Sequence, residues 1–433
     1  MAKDHGCEFV GLGWQLRLYL AIRPWLQPLM RRLVARRVAR GKDHSSRAQE
    51  KFGYSTQQRP EGHLVWCHAV GLGEVLALRP LLSAMGKTRP DVHFLVTSTA
   101  RSSGQVLSQN LPPRVIHQFL PLDGPDFVAR FLDHWQPDVS IWSEQDLWPG
   151  AICDVFKREI PLVYINARLT KAGFEKRRKL RSGYRNLMQM FKFVAAQDDP
   201  TVRYLSCLGA ASVQKMASLK PAATPLSVDE GELAALRASI AGRRVWLVAS
   251  SHAPDEKVAL AAHVRVLEAD PSALMIVVPR EPDRGDELCA ALQEAGLRFA
   301  RRSKGQSLSI SQQVFVADTI GELGLWYRLA QIALIGGSYG ETEGHNPWEA
   351  VTLGCPVLSG PNTDNFASGY ELLQERGLAK CIARTSKAPE HLAVQVLQAG
   401  CEVQSDQAEA LVASAREAIM PLARKLLAML PNE

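Results

Sequence analysis

The chain has 433 residues, 46% hydrophobic and 22% charged, with a formal net charge of +7. That balance excludes a disordered or fibrous protein and leaves material for two or three domains. No run of eighteen uncharged apolar residues occurs, so no spanning helix is expected, and the cysteines at 7, 67, 153, 207, 289, 355, 381 and 401 form no CxxC, which argues against zinc or a disulfide framework and for a reducing, cytosolic setting.

The first predicted element is "WQLRLYLAIRPWLQPLMRRLVARR". Leu18, Ile22, Trp25, Leu29 and Leu33 fall on one helical stripe with Arg17 and Arg31 opposite, and Pro24 and Pro28 are expected to split it into two short pieces. The stretch carries arginines and lacks a cleavage site, so no secretory signal is read. Residues 1–60 hold twelve Lys/Arg against four acids, which leaves the rest of the chain nearly neutral. Tryptophans with arginines on the far face suit a helix lying in an anionic membrane interface. The alternative is a helix packed on its own domain, and the basic polar face favours the interface.

After residue 62, apolar runs alternate with helical patterns. Strands are predicted at 64–68, 93–97, 138–142, 161–166 and 193–196, with helices between them, among them 74–85 and 125–134. This βαβ alternation argues for a parallel, doubly wound sheet. The first turn, "CHAVGLGEVL", reads as strand, glycine loop and helix. Leu76 stands where a dinucleotide fingerprint has its third glycine, so the loop is not a nucleotide cradle. Glu74 lies in the first helical turn, where exposed amides favour its anion. His68 supports the strand end. Glu144 and Asp146, in "SEQDLWPG", either position a ligand or structure the loop before Trp148. The run "RLTKAGFEKRRKLRSGYR", Arg168 to Arg185, suits an acidic partner, or is a solvated helix face. Few aromatics interleave the basic runs, which argues against nucleic acid. Asp198 and Asp199 read as a helix start, and no metal or cofactor is required.

A Pro/Ala/Ser-rich break at 218–232 precedes a second alternation, with strands predicted at 245–250, 274–278, 314–317, 332–337 and 355–358. Two Rossmann-like domains with a hinge near 222–230 follow, and ligands are expected at the carboxyl ends of their strands, in the cleft between them. Four strand ends of the second domain supply unusual groups. "ASSHAPDEK" places Ser251 and His252, and "VVPREPDR" places Arg280. In "VADTIGELGLWYRLA", Thr319 and Glu322 read as a capping box starting a helix at about 320, with Gly321 allowing close approach to its amides. In "GGSYGETEGHNPWEAVTLGCPVLSGP", Asn346, Pro347 and Glu349 read as N-cap, N1 and N3 beside His345, and Glu349 caps the helix or binds a ribose. Together they suit a nucleotide phosphate.

These motifs carry a resemblance. "ASSH", "VPREPDR", "DTIGELGLWYRLA", "GGS" and "GHNPWEAVTLGCPVLSGPNTDNF" resemble the Kdo (3-deoxy-D-manno-octulosonic acid) transferases of lipid A biosynthesis. So do "HAVGLGEVLALRPLL", "VTSTARSSGQ", "SEQDLWPGAI", "INARLT" and the prelude "RGKDHSSRAQEKFGY". The likeness runs over roughly residues 15–400. It implies an α/β, GT-B architecture of two Rossmann-like domains facing a central cleft. The expected division is a basic membrane-associating segment 1–45, an acceptor domain 46–222, a CMP-Kdo-binding domain 223–410, and a C-terminal helix 411–433 returning to the first domain. It implies transfer of Kdo from CMP-Kdo to a lipid A precursor, with inversion, by a peripheral protein at the cytoplasmic face of a bacterial inner membrane. Glu74 matches the general base. Arg280 matches the arginine of "PRHP", Ser251 and His252 match "STH", Gly321, Glu322 and Leu323 match "GEL", and Asn346 and Glu349 match "HNPxE"; with Thr319 and His345 these are the expected donor-binding residues. Gly71, Gly73, Glu144, Asp146, Arg168 and Lys220 are acceptor or transition-state candidates. Gly71 replaces the serine of "HAVSVGE", Asp146 the second acid of "ETELWP", Glu281 the histidine of "PRHP" and Ala350 the last proline of "HNPLEP"; Leu219 and Lys220 are what remains of "TGNLKFD". Two readings from other classes are a nucleotide-sugar epimerase of the same architecture, against which the basic amphipathic N-terminus argues, and a non-catalytic membrane-associated binding protein, against which the retained Glu74 argues.

Overall fold

The computed structural model describes residues 11–41, 43–99, 112–144, 146–216, 218–223, 225–240, 242–400 and 405–431; Lys42, Gln145 and residues 100–105 of the quoted motifs lie outside them. The chain divides into two compact units, residues 1–223 with 415–433, and residues 224–414.

The first unit holds a seven-stranded parallel sheet of β1 (Leu64–His68), β2 (His93–Ser98), β3 (Val115–Phe119), β4 (Val139–Ser143), β5 (Leu162–Ala167), β6 (Phe193–Ala196) and β7 (Val213–Lys215), in the order β3-β2-β1-β4-β5-β6-β7. β1, β4, β5 and β6 are buried along their whole length, because helices cover both faces of the sheet, and they therefore read as continuous apolar runs. The order reverses between β1 and β4, paired Val65 with Val139 and His68 with Trp142. A crevice opens at the carboxyl ends of strands at such a switch point. Glu74 follows β1 and Glu144 follows β4, so the topology itself brings these two carboxylates together.

The second unit repeats the plan with β8 (Val245–Ser251), β9 (Leu274–Pro279), β10 (Phe299–Arg301), β11 (Val314–Val316), β12 (Ile332–Ile335), β13 (Val357–Ser359) and β14 (Ala379–Cys381), ordered β10-β11-β9-β8-β12-β13-β14. Its switch point lies between β8 and β12, where Ser251 and His252 meet the glycine-rich loop after β12. Strands β3, β7, β10 and β14 were not predicted; they are short or carry polar residues at sheet margins.

The N-terminal segment is one helix, Trp14–Ala39, with Pro24 and Pro28 inside it, not two pieces. Tertiary contacts outweigh the lost backbone bonds. Beside the first proline, buried Arg23 donates to the Asp123 carbonyl (2.6 Å) and pairs with Asp154 (2.8 Å), while Tyr19 donates to Asp123 (2.5 Å). Leu16 and Val34 complete the buried face. The opposite face is inverted relative to a globular surface: Trp14, Leu18, Ile22, Trp25, Leu29 and Leu33 all stand in solvent, Trp25 at 83% exposure. Gly13 donates to Asn186 (2.7 Å) and Gln15 accepts from Ser182 (2.8 Å), which docks the start of this helix on the helix Arg181–Met190, the one that follows the basic helix Lys171–Arg178.

The C-terminal residues form two helices, Ser405–Glu417 and Ile419–Leu427, where a single one was expected. The second buries Ile419, Leu422, Ala423 and Leu426 with Val75, Leu78, Leu82 and Met85 of the helix that carries Glu74.

Candidate active site

Gly71 precedes the helix Leu72–Thr88, and the Glu74 carboxylate reaches back to accept the Val70 N–H at 2.8 Å. A Cβ added at Gly71 or Gly73 would meet nothing within 4 Å, so the loop leaves open space at these two positions beside Glu74. His68, fully buried, holds the strand end: its Nδ1 lies 3.0 Å from Thr97 Oγ1, its Nε2 3.4 Å from Asp146, and its ring packs against Trp142. Asp146 is thereby a partner of His68, not of Glu74.

Glu144 is buried in the left-handed region, φ 64°. Its Oε1 lies 2.9 Å from Lys220 Nζ and accepts from Asn166 Nδ2 at 3.1 Å, and its carbonyl accepts from the Tyr164 hydroxyl. Asn166 was not among the expected site residues. It is buried at φ 51°, within a register slip of the β5–β6 pairing, and its Oδ1 accepts from Leu219 N at 3.1 Å. An asparagine that tolerates the left-handed conformation was the only available signal, visible once the strand end is placed. Arg168 lies just beyond β5, half buried.

Burial and the Glu144 carboxylate push the Glu74 carboxyl up to about 7, against the Val70 and Gly71 amides and Lys220. This corrects the expectation that the amides of the helix start keep Glu74 ionised. Desolvation and a like charge outweigh the amides here.

In the second unit, the Ser251 hydroxyl donates to Glu256 at 3.0 Å, and Glu256 is held by Arg284 at 2.8 Å, so this serine is committed to the interior. His252 precedes the helix Ala253–Ala269 and lies Nε2 to Nε2, 2.8 Å, from His345, with the rings stacked. Burial, the nearby Arg280 and His252 push the His345 imidazole down to about 4. Asp255 was also missed. Fully buried, it accepts the amides of His252 (3.0 Å), Gly337 (2.8 Å), Ser338 (3.2 Å) and Tyr339 (3.0 Å). The glycine-rich loop after β12 therefore spends its amides on an internal anion. Exposed Arg280 follows β9, its N–H donating to the Ser251 carbonyl at 3.0 Å.

The capping box at Thr319 does not form. The helix starts at Leu323, after Gly321 at φ 94°; the Thr319 hydroxyl and Arg302 (2.6 Å) both turn to the Glu322 carboxylate. A Cβ at Gly321 would meet nothing within 4 Å, which leaves that turn open. The next helix is Trp348–Val351 with Pro347 in the N-cap position, one residue later than expected; Asn346, just before it, accepts the Trp348 amide at 3.2 Å and donates to Glu349 at 3.3 Å.

Residues 46–223 match the family model for "3-Deoxy-D-manno-octulosonic-acid transferase (kdotransferase)". A probable mitochondrial 3-deoxy-D-manno-octulosonic acid transferase of Arabidopsis thaliana is 33% identical over 397 residues, 89% of each chain. The chain belongs to the Kdo transferase family. A second Kdo transferase, from Rickettsia bellii, is 30% identical over 81% of this chain and 84% of its own. This Kdo transferase family member is thus a glycosyltransferase, which sets aside the epimerase and the non-catalytic readings. Its fold is shared more widely. A UDP-GlcNAc 2-epimerase of Neisseria meningitidis matches with a TM-score of 0.58 at 14% identity, over 84% of this chain and 99% of that one. Anabaena HepE, solved with UDP and glucose, matches with a TM-score of 0.53 at 15% identity, over 85% of this chain and 100% of that one. At such identity the likeness speaks to the GT-B fold alone.

Proposed function

We propose that the protein moves Kdo from CMP-Kdo to a lipid A precursor, with inversion at the anomeric carbon, and that Glu74 is the general base. The observation that carries this reading is the Glu74 carboxylate, poised near neutrality beside an open glycine loop and flanked by the Glu144–Lys220 pair. A base works best when its proton affinity lies close to the working pH. The acceptor hydroxyl gives its proton to Glu74 as its oxygen bonds to the anomeric carbon. The bond from that carbon to CMP breaks on the opposite face, and CMP leaves with the electron pair. Arg280, the open turn at Gly321–Leu323, and the Asn346 and Glu349 side chains suit the nucleotide, where positive charge and amides offset the charge gathering on its phosphate. Lys220, paired with Glu144, serves the acceptor side.

The exposed apolar stripe of the helix Trp14–Ala39 and the basic helix Lys171–Arg178 fit a peripheral protein on an anionic membrane, the cytoplasmic face where such an acceptor is held. Incubation with CMP-Kdo and a tetraacylated lipid A precursor, followed by mass spectrometry and assignment of the new anomeric centre, tests the reading. Kdo-bearing lipid of inverted configuration is expected. No product, or a retained configuration, overturns it.

A further inference from the structure

The ends of the neighbouring strands β4 and β5 carry two buried non-glycine residues in the left-handed region, Glu144 at φ 64° and Asn166 at φ 51°. Backbone strain of this kind persists where surrounding contacts over-determine it, and it gathers at working sites. The Asn166 amide uses both ends. Its Nδ2 donates to Glu144 Oε1 (3.1 Å), and its Oδ1 accepts from Leu219 N (3.1 Å), the residue before Lys220, whose Nζ lies 2.9 Å from the same Glu144 oxygen. One side chain therefore fixes both members of a buried ion pair, the carboxylate directly and the ammonium through its backbone. The Gln197 side chain secures the Asn166 carbonyl at 2.7 Å.

We propose that Asn166 is a positioning residue that holds the Glu144–Lys220 pair beside Glu74 and so sets the field in which Glu74 takes the acceptor proton. This rests on Glu74 being the base. The groups facing Glu74 are Glu144 after β4, Lys220 in the turn Lys220–Ala222, the Tyr164 hydroxyl on β5, and the Val70 and Gly71 amides before its own helix.

Asn166→Asp keeps the shape, suits the left-handed backbone and can still accept the Leu219 amide, but it sets a second anion against Glu144 in place of a donor. The acid limb of kcat/KM is expected to rise by about one pH unit, with about fivefold lower activity at pH 7. Adding Glu144→Gln to Asn166→Asp restores the hydrogen bond with donor and acceptor exchanged, and the limb is expected to return to its wild-type position. A folded Asn166→Asp whose limb coincides with wild type overturns the proposal. If Asn166→Asp does not fold, Asn166→Gly replaces it, since glycine accepts this backbone without the amide. At least tenfold lower kcat with an unchanged donor KM is then expected, and wild-type kcat overturns the proposal. A Glu74→Gln control separates the failures: if it transfers normally, the base assignment is wrong, whereas an inactive Glu74→Gln with an unmoved Asn166→Asp limb sinks the Asn166 role alone.

Discussion

Burial and the Glu144 anion push the Glu74 carboxylate towards its protonated form, the Val70 and Gly71 amides and Lys220 hold it ionised, and the push wins. The proton affinity of Glu74 rises from about 4.5 to about 7 on folding. Between these values the folded chain binds more protons than the unfolded one, so this group makes stability fall as pH rises, with the loss complete above about 7. Glu74→Gln removes the ionisation. It is expected to match wild type at pH 4 and to be more stable at pH 8 by roughly 1–3 kcal/mol, read from denaturant midpoints at the two values. A variant equally or less stable at pH 8 would show that the carboxylate is not strained. The position of Glu74 was legible because strand, glycine loop and helix follow one another in ten residues. Its ionisation was not, because Glu144 is distant in sequence and joins it only through the adjacency of β1 and β4. Asn166 and Asp255 were hidden for a related reason. Each matters for the backbone groups it collects from other segments, and no local spacing announces such a partner.

At the scale of the element, the helix Trp14–Ala39 reverses the usual rule by burying Arg23 and exposing its apolar stripe. The stripe was legible from its spacing. The continuity through two prolines was not, since it depends on the Arg23, Asp123 and Asp154 contacts that pin the helix at that point. Trp25→Ser with Leu29→Ser is expected to weaken sedimentation with phosphatidylglycerol vesicles at least tenfold, because each large apolar side chain carries about 1.5–3 kcal/mol of burial. The unfolding midpoint is expected to stay put, since both side chains are already in solvent. Unchanged vesicle binding would contradict the membrane role. The buried strands were equally legible from their apolar runs. Strands β7, β10 and β14 have three residues each, too few to declare a period.

In each unit a doubly wound sheet lines up the candidate site residues at the carboxyl ends of its strands, around a switch point, which is why motifs dispersed along that unit's sequence come together. The return of the C-terminus has a consequence for stability. Helix Ile419–Leu427 covers the apolar face of the helix Leu72–Thr88, within the unit that holds Glu74. Removing residues 415–433 is expected to make the first unit far more sensitive to limited proteolysis than the second, with cleavage products mapped by mass spectrometry. Equal resistance in both units would show that this helix is dispensable.

The central claim is that Glu74 takes the proton of the acceptor hydroxyl. The rate of Kdo transfer by purified Glu74→Gln at saturating CMP-Kdo and lipid acceptor tests it most directly. The predicted result is a loss of at least about a hundredfold in kcat, in a protein whose fold and donor binding are retained. A folded variant turning over within tenfold of wild type would contradict it.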